Sequence, residues 1–368
     1  MPATAQSHPK TDRFYSVQIL RGLAAVLVVL HHQSHIAIPV FGWQPSTRFF
    51  DNGAFGVDLF FPISGFVIYL TASSLLRQDR SAPDWRDFAW RRFLRVAPPY
   101  WFFTVLKLAL FFAVPATMLH YRFQASNTVA GFLFLPAYNF EHAPEPPLGV
   151  GWTLNYEMLF YAMVTLSIAC RRPVLRFCAP IITTLAILGL IIPHAWSAFS
   201  YLADPIELEF LAGMFIAAGF REIQRLPWWV PAAILPAALT FALILAPGGS
   251  TLIFQPQRAL FYGIPGALVL ASVVALEPRL NLRPQRSLLL LGDASYSLYL
   301  LHTFIVPATG LAVHPLRLAG AMGLLCFFVL GLALCVGASI AFHLYVELPM
   351  FAALTRYRMP WSMHSADA

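Results

Sequence analysis

Ser16-Val-Gln-Ile-Leu-Arg21-Gly-Leu-Ala-Ala-Val-Leu-Val-Val-Leu-His31-His32-Gln-Ser-His35 is an apolar run that carries an arginine near its start and histidines near its end. Ionisable groups at membrane depth are costly and usually mark function. Eleven helical steps make three turns plus about 20°, so Arg21 and His32 share one helix face, about 16.5 Å apart. The run reads as a first membrane span with a cation at one level and an imidazole at another.

The rest of the chain agrees with a membrane setting. Of its 368 residues, 58% are hydrophobic and 11% charged, with mean hydropathy +0.66, whereas soluble domains carry roughly a quarter charged residues. The first apolar run follows a polar tail of about fifteen residues and lacks a small-residue cleavage site, so it is expected to stay as an anchor. Cys170, Cys178, Cys326 and Cys335 lie in or beside apolar runs without CxxC spacing. Neither a disulfide framework nor a metal site is expected from them.

Runs of about 20 residues, the length that crosses a bilayer, occur near 17–38, 54–75, 97–119, 151–170, 177–193, 205–220, 227–246, 258–276, 288–310 and 320–346. The expected fold is an all-α membrane bundle of ten spans, with both termini cytoplasmic. The apolar stretch from Asn127 to Tyr138 is too short to cross and reads as re-entrant or interfacial. In this orientation 19 of the 24 lysines and arginines face the cytoplasm, as the positive-inside rule requires. That distribution accounts for the net charge of +7 without a nucleic-acid partner. The chain divides into a polar tail (1–15), one membrane domain (16–350) and a second cytoplasmic tail (351–368).

Depth follows from the rise of about 1.5 Å per residue. His32 falls about 9 Å below the outer boundary, and Asp58 and Glu157, from the second and fourth spans, fall about 6 and 9 Å below it. A histidine with a carboxylate at its own depth is a general-base arrangement. Each residue also has a plainer reading: a core imidazole for His32, a first-turn helix acid for Asp58, and an interfacial aromatic belt around Glu157 for Trp152, Tyr156 and Tyr161.

A second cluster, Arg86-Asp-Phe-Ala-Trp-Arg91-Arg92-Phe-Leu-Arg95-Val-Ala-Pro-Pro-Tyr100-Trp101, opens the third span. Arg92 and Arg95 are one turn apart and present guanidinium forks suited to phosphate oxygens. Lipid head groups are the alternative partner. Arg21 lies at the same level, so the three can form one anion site. A third cluster puts Ser295, Tyr299 and His302 on one face of the ninth span, as a substrate-facing stripe or as interhelical glue. Glu347 ends the last span and reads as a partner for a cytoplasmic arginine.

Six segments follow one another in an order that resembles acyltransferase family 3, the bacterial integral-membrane O-acyltransferases. They are Arg21-Gly-Leu-Ala-Ala with His32, Phe55-Gly-Val-Asp-Leu-Phe-Phe with Ser64-Gly65-Phe66, Arg92-Phe-Leu-Arg95-Val-Ala-Pro-Pro-Tyr100-Trp101, Trp152-Thr-Leu-Asn-Tyr-Glu157, Ser295-Tyr-Ser-Leu-Tyr299-Leu-Leu-His302 and Glu347-Leu-Pro349. Pro62 stands where the family usually has an aliphatic residue, and Thr153 where serine is commoner.

The resemblance implies ten spans in the bacterial inner membrane, no bound cofactor, acetyl-CoA or another acyl-CoA as cytoplasmic co-substrate, and a surface glycan or lipid-linked saccharide as acceptor. It carries the family's catalytic histidine onto His32, the arginine before it onto Arg21, and the RxxR pair onto Arg92 and Arg95. On this reading His32, Asp58 and Glu157 are catalytic, Arg21, Arg92 and Arg95 bind acyl-CoA, and Tyr100, Trp152, Tyr161, Ser295, Tyr299 and His302 contact substrate. The rivals are a transporter with a proton relay through His32, Asp58, Glu157 and His302, and a structural partner in polysaccharide export.

Overall fold

The computed structural model describes residues 14–45, 47–77, 84–114, 122–192, 197–280, 286–316 and 320–356. Most of both polar tails, with Lys10, Arg13 and Arg358, lies outside the described residues, as do Arg80, Arg283 and Arg317. Within them the chain is helical and has no strand. In chain order the helices are α1 (Tyr15–Phe41), α2 (Phe55–Arg77), α3 (Trp85–Ala113), α4 (Ala125–Phe132), α5 (Trp152–Ala169), α6 (Val174–Ile191), α7 (Glu207–Ala218), α8 (Phe220–Ile223), α9 (Trp229–Thr240), α10 (Gly249–Leu252), α11 (Ile264–Leu276), α12 (Arg286–Asp293), α13 (Ser295–Val313), α14 (Gly320–Phe342) and α15 (Leu348–Arg356).

Seven helical stretches among the described residues are long and apolar enough to cross a membrane. The other three expected spans are shorter or more polar. The run at 151–170 is α5, 18 residues that include Asn155 and Glu157. The run at 205–220 gives α7, of 12 residues, about 18 Å at helical rise. The run at 227–246 is α9, of 12 residues, prolonged by a five-residue π-helical turn, Phe241–Leu245. The stretch at 127–138 folds as the end of the eight-residue α4 and an irregular segment, too short to cross. Leu190, Ile191 and Val329 stand exposed on the bundle surface, where lipid tails would cover them.

Three local devices place the site. First, α1 has no side-chain cap of its own; instead Glu277, at the end of α11, accepts from the amides of Tyr15 and Ser16, both at 2.9 Å. A carboxylate there satisfies two orphan donors and meets the positive end of the helix dipole. Second, α2 packs backbone to backbone on its neighbours. A side chain at Gly65 would strike the Phe210 carbonyl of α7, and one at Gly213 would strike the Pro62 carbonyl of α2. Small residues allow such close approach where helices meet in lipid. Third, α1 and α13 run side by side in the same direction. Gly292, just before α13, lies on Gln18, His302 on His32, and Gly310 on Ile36.

Candidate active site

The register of α1, α2, α3, α5 and α13 encloses a cavity of about 130 Å³. Arg21 of α1 and Arg92 and Arg95 of α3 border it, as the common level of the three arginines had indicated. Glu157 and Tyr161 of α5 and Ser295 and Tyr299 of α13 complete its polar lining, with Ser64 and Thr153. Glu157 accepts from the Ser64 hydroxyl at 3.3 Å and from the Tyr161 hydroxyl one turn along. An acid among three guanidinium groups leaves the cavity net positive, suited to an anion carrying several phosphates.

At its other end the cavity reaches Tyr299, whose hydroxyl donates to the Val150 carbonyl at 2.9 Å and lies 3.0 Å from Thr153 Oγ1. One turn further along α13 is His302, its ring centroid 6.1 Å from that of Tyr299. The ring of His302 in turn packs on that of His32, centroid to centroid 4.6 Å. A line of side chains therefore leads from the arginines to His32, beside the direct path along α1.

The structure corrects how His32 is oriented. The sequence reading gave this task to Asp58 or Glu157. Instead Nδ1 of His32 lies 2.9 Å from the Val28 carbonyl of its own helix. A carbonyl only accepts, so Nδ1 carries a proton, and in the neutral ring the lone pair is then on Nε2, the form a general base needs. His302 repeats the device, with Nδ1 3.1 Å from the Leu298 carbonyl. Its Nε2 is buried and has no hydrogen-bond partner among the described residues. Ser295 Oγ is likewise without one.

Asp58 does not line the cavity. Its carboxylate takes a two-pronged bond from Arg258, Nε to Oδ1 at 2.8 Å and Nη2 to Oδ2 at 2.7 Å, and both side chains are buried. Equal depth placed it near His32, but depth leaves the angle around the helix open. Trp152 covers the Arg258 guanidinium at 5.7 Å instead of facing the cavity. Tyr100 is fully packed, against Phe134 with ring centroids 5.2 Å apart.

Arg258 escaped the sequence reading as a site residue, although Asp58 has no basic residue within several turns on its own helix and Arg258 opens an outer span end. Glu207 and Glu209 were also missed. Both are buried in α7 with carboxylate oxygens that have no hydrogen-bond partner among the described residues; two acids at the head of an apolar run were the available signal. Among the described residues Glu347 pairs with no arginine. It accepts from Ser297 Oγ at 2.5 Å and lies 2.9 Å from His343 Nδ1 in a π-helical turn.

With this geometry in view, comparison with known proteins is decisive: the acyltransferase domain of family 3 matches residues 14–344. The chain belongs to acyltransferase family 3. It is therefore an enzyme, a multi-pass membrane acyltransferase, which displaces the transporter and export-partner readings. The exopolysaccharide production protein ExoZ of Rhizobium meliloti (strain 1021) is 33% identical over 277 residues, which cover 72% of this chain and 81% of that protein. Protein 2 in the picA locus of Rhizobium radiobacter is 31% identical over 144 residues, 36% of this chain and 69% of that protein. No solved structure gives a significant match.

Proposed function

We propose that the chain transfers an acetyl group from cytoplasmic acetyl-CoA to a hydroxyl of an exported exopolysaccharide or its lipid-linked precursor. The observation that carries this reading is the cavity in which Arg21, Arg92 and Arg95 meet Glu157, on the same α1 that continues to His32. The likeness to ExoZ supports a glycan acceptor. In this reading the chain crosses the bacterial inner membrane ten times with both termini in the cytoplasm, the arginines face the cytoplasm, and lipid surrounds the bundle.

The arginines hold the phosphates of CoA while its flexible arm runs along α1 and α13 toward His32. The acceptor hydroxyl arrives from the outer side. Its proton passes to Nε2 of His32 as its oxygen bonds to the thioester carbonyl carbon. The carbon to sulfur bond then breaks, and the imidazolium returns the proton to the leaving thiolate. The products are the acetylated glycan and CoA. Tyr299 and His302 line the approach to the reacting atoms, and Tyr161 holds Glu157 in the cavity wall.

Purified protein in vesicles, given labelled acetyl-CoA with and without the glycan of the producing strain, tests this. Label transferred to the glycan supports it; labelled acetyl-CoA left intact in the presence of glycan contradicts it.

A further inference from the structure

The three histidines that close the first span separate into two groups. His32 turns to His302, whereas His31 and His35, one helical turn apart, turn to Asp51. Their rings lie 4.4 Å apart between centroids. Asp51 Oδ1 is 3.4 Å from Nε2 of His35 and 3.8 Å from Nδ1 of His31. One ligating atom from each of the three residues lies within 4.8 Å of the other two.

We propose that His31, His35 and Asp51 form a site for a divalent transition metal of the zinc type. Two imidazoles and one carboxylate are a donor set that such ions favour, with bonds of about 2.0–2.2 Å. Two ligands of a tetrahedral ion at those lengths stand roughly 3.4 Å apart, the spacing already present between His35 and Asp51. The supporting contacts are also those of a metal site. Nδ1 of His31 donates to the Asp51 carbonyl at 2.7 Å, so Nε2, rather than the Nδ1 that stands 3.8 Å from Oδ1, is the nitrogen that would bind an ion. Ser250 holds the other Asp51 oxygen, Oδ2, through its hydroxyl at 3.0 Å, and its amide donates to Oδ1 at 3.2 Å. His35 and Asp51 border a cavity of about 330 Å³ that also touches Ser250 and Arg48, which offers an entry path and room for a water in the fourth position. The His31 ring lies edge-on to that of His32, 5.1 Å between centroids, so an ion held here sits beside the catalytic histidine.

The test uses the full-length protein purified in detergent without a polyhistidine tag, titrated with Co²⁺ and followed by visible absorption, then displaced with Zn²⁺. The expected result is one saturable site per chain. His35→Ala and Asp51→Asn should each weaken it by more than the roughly 10-fold that loss of a supporting partner costs. His142→Ala, on a separate loop, should leave it unchanged. His35 is partly exposed, so His35→Ala decides alone should Asp51→Asn fail to fold. Absence of saturable binding, or unchanged affinity in His35→Ala, overturns the proposal.

Discussion

The imidazole of His302 packs against that of His32 with centroids 4.6 Å apart and an interplanar angle of 63°, and each ring gives its Nδ1 proton to a carbonyl four residues back. With Nδ1 of each ring so engaged, the two imidazoles keep Nε2 clear of those carbonyls at the end of the path from the arginines.

In the proposed reaction His302 borders the reacting atoms and does not hold CoA phosphates, so His302→Gln is expected to lower kcat roughly 10-fold to 100-fold. The KM for acetyl-CoA should hardly move. Steady-state kinetics in vesicles check this, and a rise in KM at constant kcat would place His302 in donor binding instead.

Arg92 and Arg95 belong to the opposite end. Charge-assisted bonds to phosphate contribute about 1.5–3 kcal/mol each, so Arg92→Ala and Arg95→Ala are each expected to raise the KM for acetyl-CoA by roughly 10-fold to 100-fold. Binding of dephospho-CoA, which lacks one phosphate group, measures part of the same term directly. An unchanged KM in both variants would return these arginines to a role in topology or lipid contact.

Asp58 and Arg258 are expected to act on stability before chemistry. Removing one partner of a buried ion pair leaves an uncompensated charge and costs about 3–5 kcal/mol. Asp58→Asn should therefore lower the melting temperature and yield, while the double variant Asp58→Asn with Arg258→Met recovers much of the loss. Full stability with lost activity in Asp58→Asn would return Asp58 to the catalytic role beside His32 that its depth suggested.

The Glu145 carboxyl, in the proline-rich loop ahead of α5, is pushed above its ordinary value of 4.5 by burial and by Glu141, with Lys107 pulling the other way. A raised value in the fold means that the folded protein holds this proton more tightly. The stabilising contribution is present below about 4.5 and is lost as pH rises through the folded value. Glu145→Gln is expected to melt higher than the parent near neutral pH, with the gap closing in acid. Thermal melts in detergent across that range check it, and a gap independent of pH contradicts it.

What the sequence made legible follows from one dimension of a helix. Rise per residue placed Arg21, Arg92 and Arg95 at one level, and guanidinium groups are long enough to converge from there on a shared cavity. The same arithmetic placed Asp58 level with His32 and failed, because height does not say which neighbour a helix face meets. That angle is set by the Gly65 and Gly213 crossing of α2 and α7. The tautomer of His32 was also out of reach, since a backbone carbonyl is available at every helical position and leaves no mark in composition. Membrane character was plain throughout, whereas α7 and α9 are too short for their length to be read from hydropathy alone.

In the proposed reaction His32 removes the acceptor proton. His32→Ala, assayed in vesicles with labelled acetyl-CoA and the glycan, should retain acetyl-CoA binding and its melting profile while glycan acetylation falls by at least the roughly 100-fold that a positioned base supplies. Acetylation within a few-fold of the parent in a folded His32→Ala protein would contradict the account.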